Sequence, residues 1–171
     1  MKKNVIILNG RGEVGKDTLC EMISNYYSVM NISSITPIKE IAKQCGWDGE
    51  KNDKSRMFLS DLKRILTIYN DYPTQYLLQQ YKLFKDNDKE LLFVQIREGT
   101  EIEKFKAHID IPCCTLLIKR TSQEFGKWGN SSDDEVEKYR YDFVFDNCKP
   151  LSETEPAFKI FIDDILKNVE K

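Results

Sequence analysis

Residues 5–18 read Val5-Ile6-Ile7-Leu8-Asn9-Gly10-Arg11-Gly12-Glu13-Val14-Gly15-Lys16-Asp17-Thr18, and this stretch decides the fold. Its first four residues form an apolar run with no polar residue between them. Such a run predicts a strand buried on both faces, as in a parallel sheet covered by helices. Asn9-Gly10 is a turn signal. Beyond it, Leu19, Met22, Ile23, Tyr26, Tyr27 and Met30 recur at helical spacing. The order is therefore strand, glycine loop, helix.

The spacing Gly10-x-x-x-x-Gly15-Lys16, set between a buried strand and a helix, is the P-loop pattern. Glycines let backbone N–H groups converge on an anion without interference from Cβ. The helix N-terminus adds partial positive charge. The expected nucleotide-binding set is Gly10, Gly12, Glu13, Val14, Gly15, Lys16, Asp17 and Thr18, with Lys16 reaching the β- and γ-phosphates of ATP. One position departs from the pattern. The residue after the lysine is ordinarily Ser or Thr, and here it is Asp17. A carboxylate beside phosphates is repulsive unless a cation lies between them, so Asp17 is the candidate Mg²⁺ ligand. Capping of the helix start is its alternative role.

The remaining sequence continues the alternation of strand and helix. Ile32 to Thr36 reads as a strand, broken by Pro37, and Ile38, Ile41 and Ala42 as a short helix. Phe58, Leu59, Leu62, Ile65, Leu66 and Tyr69 mark one apolar helical face, and Pro73 opens a further helix to about Phe84. Leu91–Ile96, Thr115–Ile118 and Phe143–Phe145 read as strands. Residues 101–108 and the stretch from Ala157 to Val169 read as helices. Parallel strands need crossovers, and crossovers are usually helices. The expectation is a single domain over residues 1–171, with two insertions able to move, at 37–90 and 119–134.

Composition narrows the class of function. With 26 basic and 28 acidic residues the chain carries a net charge of −2, so no global basic excess points to nucleic acid. Val5–Leu8 is too short for a signal peptide's apolar region or a membrane span. Five cysteines, without a Cys-x-x-Cys pair or a nearby histidine, fit reduced thiols in a cytoplasmic protein rather than zinc. The neighbours Cys113 and Cys114 read as adjacent residues of a strand. No feature of the sequence sets an oligomeric state.

Lys16-Asp17-Thr18 after a P-loop resembles the phage-type deoxynucleoside monophosphate kinases and, less closely, the animal-type phosphomevalonate kinases. The order of elements resembles the adenylate-kinase-like P-loop kinases across nearly the whole chain. This resemblance implies an α/β three-layer P-loop NTPase fold: a five-stranded parallel sheet with helices on both faces. It also implies an acceptor-binding insert at 37–90 and a lid at 119–134. It further implies ATP and Mg²⁺ as cofactors and a small-molecule acceptor as partner, with no nucleic acid and no membrane. Arg97, at the end of the strand Phe93-Val94-Gln95-Ile96, takes the acceptor's phosphate in this reading. Gln95 stands where such enzymes often carry an Asp, and Glu98 is a possible compensation. In the insert, Arg56, Asp61 and Lys63 are the acceptor-side candidates, each also readable as part of a solvated charged face. Arg120, with Lys127 second, is the lid candidate for the transferring phosphoryl group, and Asn147 borders the adenine. The reading is an ATP- and Mg-dependent kinase for a (deoxy)nucleoside monophosphate. The alternatives are a kinase for another phosphorylated metabolite, such as dephospho-CoA or a phosphomevalonate-like acid, and a nucleotide-binding regulatory protein that transfers nothing.

Overall fold

The computed structural model describes residues 2–121 and 136–169. Five strands form one sheet: β1 (Asn4–Asn9), β2 (Val29–Ser33), β3 (Leu91–Gln95), β4 (Cys113–Lys119) and β5 (Phe143–Asp146). Their order is β2-β3-β1-β4-β5, and every pairing is parallel. The described α-helices are α1 (Lys16–Ile23), α2 (Thr36–Gln44), α3 (Asp53–Asn70), α4 (Tyr72–Asp86), α5 (Gly99–Lys106) and α6 (Leu151–Val169). Most of the expected lid, with Lys127 and Trp128, lies outside the described residues.

The apolar run of β1 explains the layering. Side chains alternate along a strand. Ile6 and Leu8 join Phe93 and Leu116 on one face, packed against Leu19 and Ile23 of α1 and Phe158, Ile162 and Ile165 of α6. Val5 and Ile7 join Leu92 and Val94 on the other, packed against Leu77, Tyr81 and Phe84 of α4 and Ile102 and Phe105 of α5. Burying each such side chain contributes roughly 1.5–3 kcal/mol, so both faces of β1 hold a helix layer in place. The same alternation separates Cys113 from Cys114, since Cys114 packs with the α1/α6 layer and Cys113 with the α4/α5 layer. Both are free thiols, and burial pushes Cys114 up to about 12.

Several element bounds differ from the sequence reading. β2 lies at Val29–Ser33, three residues earlier than expected, and Pro37 sits in the first turn of α2 rather than ending a strand. A proline is tolerated there because its missing N–H has no intrahelical acceptor. The stretch 37–90 is not one projecting unit: Ile38 and Ala42 of α2 are fully buried, and α4 is a layer helix of the core. α3 departs most. Among its expected core residues, Leu59, Leu62 and Leu66 are half-buried, while Phe58, Ile65 and Tyr69 face solvent. Asn52 caps its N-terminus by accepting from the Ser55 N–H at 2.8 Å. Asp71, in the left-handed region at φ 54°, turns the chain from α3 into α4.

Candidate active site

The carboxyl ends of β1, β3, β4 and β5 converge on one edge of the sheet, and the glycine loop leaves β1 there. In an open α/β sheet, ligands bind at this edge. Gly10 has φ +152° and Gly15 φ +90°, and Glu13 between them adopts φ 67°. A Cβ on Gly10 would meet the Ile118 carbonyl oxygen at 2.6 Å and Val14 Cγ2 at 2.9 Å. A Cβ on Gly15 would meet Asn147 Nδ2 at 2.7 Å. The loop is therefore pressed against its supports on one side, with its other side open toward the start of α1. Lys16 Nζ curls over the loop and donates to the Gly10 and Arg11 carbonyls at 2.6 and 2.8 Å.

This is a P-loop fold. In overall structure the chain is similar to TT1252 from Thermus thermophilus. The TM-score is 0.52 and the identity 15%, over 96% of this chain and 98% of that one. It is also similar to the tunicamycin resistance protein of Deinococcus radiodurans, with a TM-score of 0.56 and 11% identity over 94% and 96% of the two chains. No protein-family model and no curated protein matches the sequence.

Two buried asparagines hold the P-loop in shape. Asn9, 1% exposed, accepts from the Gly10 N–H at 2.8 Å through Oδ1. Its Nδ2 donates to the Arg97 carbonyl at 2.8 Å and to the Tyr141 hydroxyl at 2.7 Å, so β1, β3 and the approach to β5 meet at one amide. The Tyr141 hydroxyl in turn donates a hydrogen bond to the Val136 carbonyl. Asn147 Nδ2 donates to the Val14 carbonyl at 2.9 Å from a buried position. Its side chain thus braces the loop from beneath, where the sequence reading set it beside a nucleotide base. Asn9 was legible only as a turn residue, and nothing local in the sequence signals its long-range role.

The residues flanking Lys16 follow an unusual arrangement. Asp17 Oδ1 accepts from Gln95 Nε2 at 2.7 Å, and the same amide nitrogen lies 3.2 Å from Asn31 Oδ1. The carboxylate expected at the end of β3 is thus found across the gap, at the start of α1, with a carboxamide orienting it. Among the described residues no group of three His, Cys, Asp or Glu side chains could form a metal cage. One oriented carboxylate with the exposed Thr18 beside it suits Mg²⁺, which keeps several waters and binds through one or two carboxylates plus phosphates.

On the β3 side, Arg97 is half-buried at the strand's end. Lys39 of α2, which the sequence reading missed, interacts electrostatically with the same groups. Its pKa is lowered, first by desolvation, then by Lys51; Asp17 opposes the shift, and Arg97 and Lys43 add to it. The insert candidates fall elsewhere. Lys63 is half-buried and donates to Glu98 at 2.5 Å, Glu101 at 2.8 Å and Ser34 at 3.3 Å, tying α3 to the turn after β3. Its charge is shared by two carboxylates. Asp61 faces solvent beside Arg64, and Arg56 lies 3.7 Å from Asp53. Glu98, a possible stand-in for the missing β3 carboxylate, is spent on Lys63.

On the β4 side, Arg120 lines a cavity of about 260 Å³ with Arg11, Val14, Lys119, Thr121 and Glu137. Glu137 lies 3.6 Å from both Arg11 and Lys119. Among the described residues, the buried Nε atoms of Arg11 and Arg120 have no hydrogen-bond partner. Away from this edge, His108 Nδ1 lies 2.7 Å from the Lys104 carbonyl at the end of α5, and Trp47 Nε1 donates to the Glu50 carbonyl within its own loop.

Proposed function

We propose that the chain is a kinase that transfers the γ-phosphoryl group of ATP to a small phosphorylated acceptor, a (deoxy)nucleoside monophosphate being the first class to test. The observation that carries this reading is the loop Gly10–Gly15, held with three residues at positive φ and closed by Lys16 at the head of α1. Such a loop is built to cradle an anion. Lys16 exchanges its two carbonyl acceptors for phosphate oxygens when the nucleotide binds. Asp17, oriented by Gln95, and Thr18 are the residues that would hold Mg²⁺. The ion supplies neutralisation of the phosphate charge.

Phosphoryl transfer asks the protein for alignment and positive charge rather than covalent chemistry. Arg97 holds the acceptor's phosphate, its fork suited to bidentate contact, and Lys39 approaches from α2. Arg120 and Arg11 border the donor side, with Arg11 Nε 3.6 Å from Glu137. An acceptor phosphate is already anionic at neutral pH, so no general base is needed.

The test is ADP release from ATP and Mg²⁺, with each common ribo- and deoxyribonucleoside monophosphate offered in turn. One or a few acceptors should stimulate release, and Lys16→Ala should lower the stimulated rate by at least about 10²-fold. Arg97→Ala should raise the acceptor KM far more than that of ATP. Stimulated turnover unchanged in Lys16→Ala would reject the reading.

A further inference from the structure

α3 carries apolar side chains that the described residues leave exposed. Met57 is 65% exposed, Phe58 38%, Ile65 55% and Ile68 74%. These residues lie opposite the side that packs inward through Ser55, Leu59, Leu62 and Leu66. Exposed apolar side chains gathered on one helix face, with charged Lys54, Asp61 and Arg64 among them, mark an interaction surface.

The charges along the stripe identify the partner. Lys54, Met57, Asp61, Arg64 and Ile68 follow intervals of three, four, three and four residues and so share one face of the helix. Phe58 and Ile65 flank that face on one side and widen it. The order of the residues is self-complementary only when a second α3 runs antiparallel. A two-fold axis between Leu62 and Lys63 then sets Met57 of each copy against Ile68 of the other. The same axis sets Asp61 of each copy against Arg64 of the other. A parallel pair would oppose Asp61 with Asp61 and Arg64 with Arg64, which is repulsive. Within one chain Asp61 and Arg64 lie 3.5 Å apart and are 57% and 63% exposed. So exposed an ion pair is worth little, and its charges can be re-paired across an interface. The isologous arrangement is the commonest form of homodimer.

We propose that the chain forms a two-fold symmetric dimer through antiparallel packing of α3 on α3 of a second copy. The 18-residue helix is about 27 Å long. A seam of that length is small for a specific interface, so the dimer forms on concentration and dissociates on dilution. The proposal makes no use of nucleotide binding and stands or falls separately from the kinase reading.

Sedimentation of the chain without nucleotide tests it, over a concentration series, for wild type, Asp61→Arg, Arg64→Asp and an equimolar mixture of the two variants. Both positions are exposed, and circular dichroism verifies that each variant keeps its helix content. Wild type should move from 20.1 kDa toward twice that mass. Each variant alone opposes like charges at the axis and should associate at least about tenfold more weakly. The mixture opposes two acidic positions on one chain with two basic positions on the other, and should regain association. A wild type that stays monomeric, variants that associate like wild type, or a mixture no stronger than its components would each overturn the proposal.

Discussion

Gly10 and Gly12 occupy neighbouring places in the same loop and face different constraints. A Cβ at Gly10 would collide with the Ile118 carbonyl, whereas none of the described residues lies within 4 Å of one at Gly12. Gly10→Ala is expected to cost about 1–3 kcal/mol through backbone strain and to weaken ATP binding. Gly12→Ala should leave the melting temperature nearly unchanged. Thermal unfolding of the two variants checks this, and equal losses would show that the loop is not pressed on β4 as described. The sequence displayed both glycines equally, because the motif records only their spacing. The atoms that make one indispensable belong to β4, more than a hundred residues away in the chain. Asn9 and Asn147 were illegible in their present roles for the same reason.

Among the elements, α3 shows where periodicity misleads. Its apolar residues do recur at helical spacing, and the helix exists. Yet the pattern is wide enough to supply two faces, and periodicity cannot say which one the core takes. Lys63 decides it, as the half-buried anchor between α3 and the β3–α5 turn. Two carboxylates share its one ammonium, so they titrate apart. Burial alone would raise Glu98, but Lys63 and hydrogen bonds outweigh it and hold Glu98 down to about 2. Burial pushes Glu101 up to about 7, against Lys63 and with Glu98 adding to the shift. The folded state therefore binds the Glu101 proton more tightly than the unfolded chain, whose reference value is 4.5. Stability from this group is present at low pH and is lost as pH rises from there through the folded value. Glu101→Gln cannot titrate, so wild type should lose melting temperature relative to this variant between about pH 5 and about pH 8. Glu98 contributes its loss only on the acid side and does not interfere. A difference between the two proteins that is constant across that range would contradict the assignment of the shared proton to Glu101.

At the scale of the whole molecule, the strand–loop–helix beginning was enough to predict a parallel sheet with helices on both faces. The sheet order β2-β3-β1-β4-β5 puts β1 at its centre, and a strand covered on both sides must be continuously apolar. The bounds of β2 were less legible, because Val29-Met30-Asn31-Ile32-Ser33 is only partly buried near the sheet edge and carries a mixed pattern. The placing of Lys39 and Lys63 depends on how α2 and α3 fold back over the carboxyl edge, which no local signal encodes. Among the described residues no helix is long and apolar enough to cross a membrane. The central claim is that this edge moves a phosphoryl group between two bound molecules. The most direct measurement is phosphorus NMR of ATP and Mg²⁺ incubated with the chain and an acceptor that stimulates ADP release. The account predicts that the γ-phosphorus reappears as a new phosphoanhydride on the acceptor, matched one for one by ADP. Recovery of the γ-phosphorus as free phosphate, with the acceptor unchanged, would contradict it.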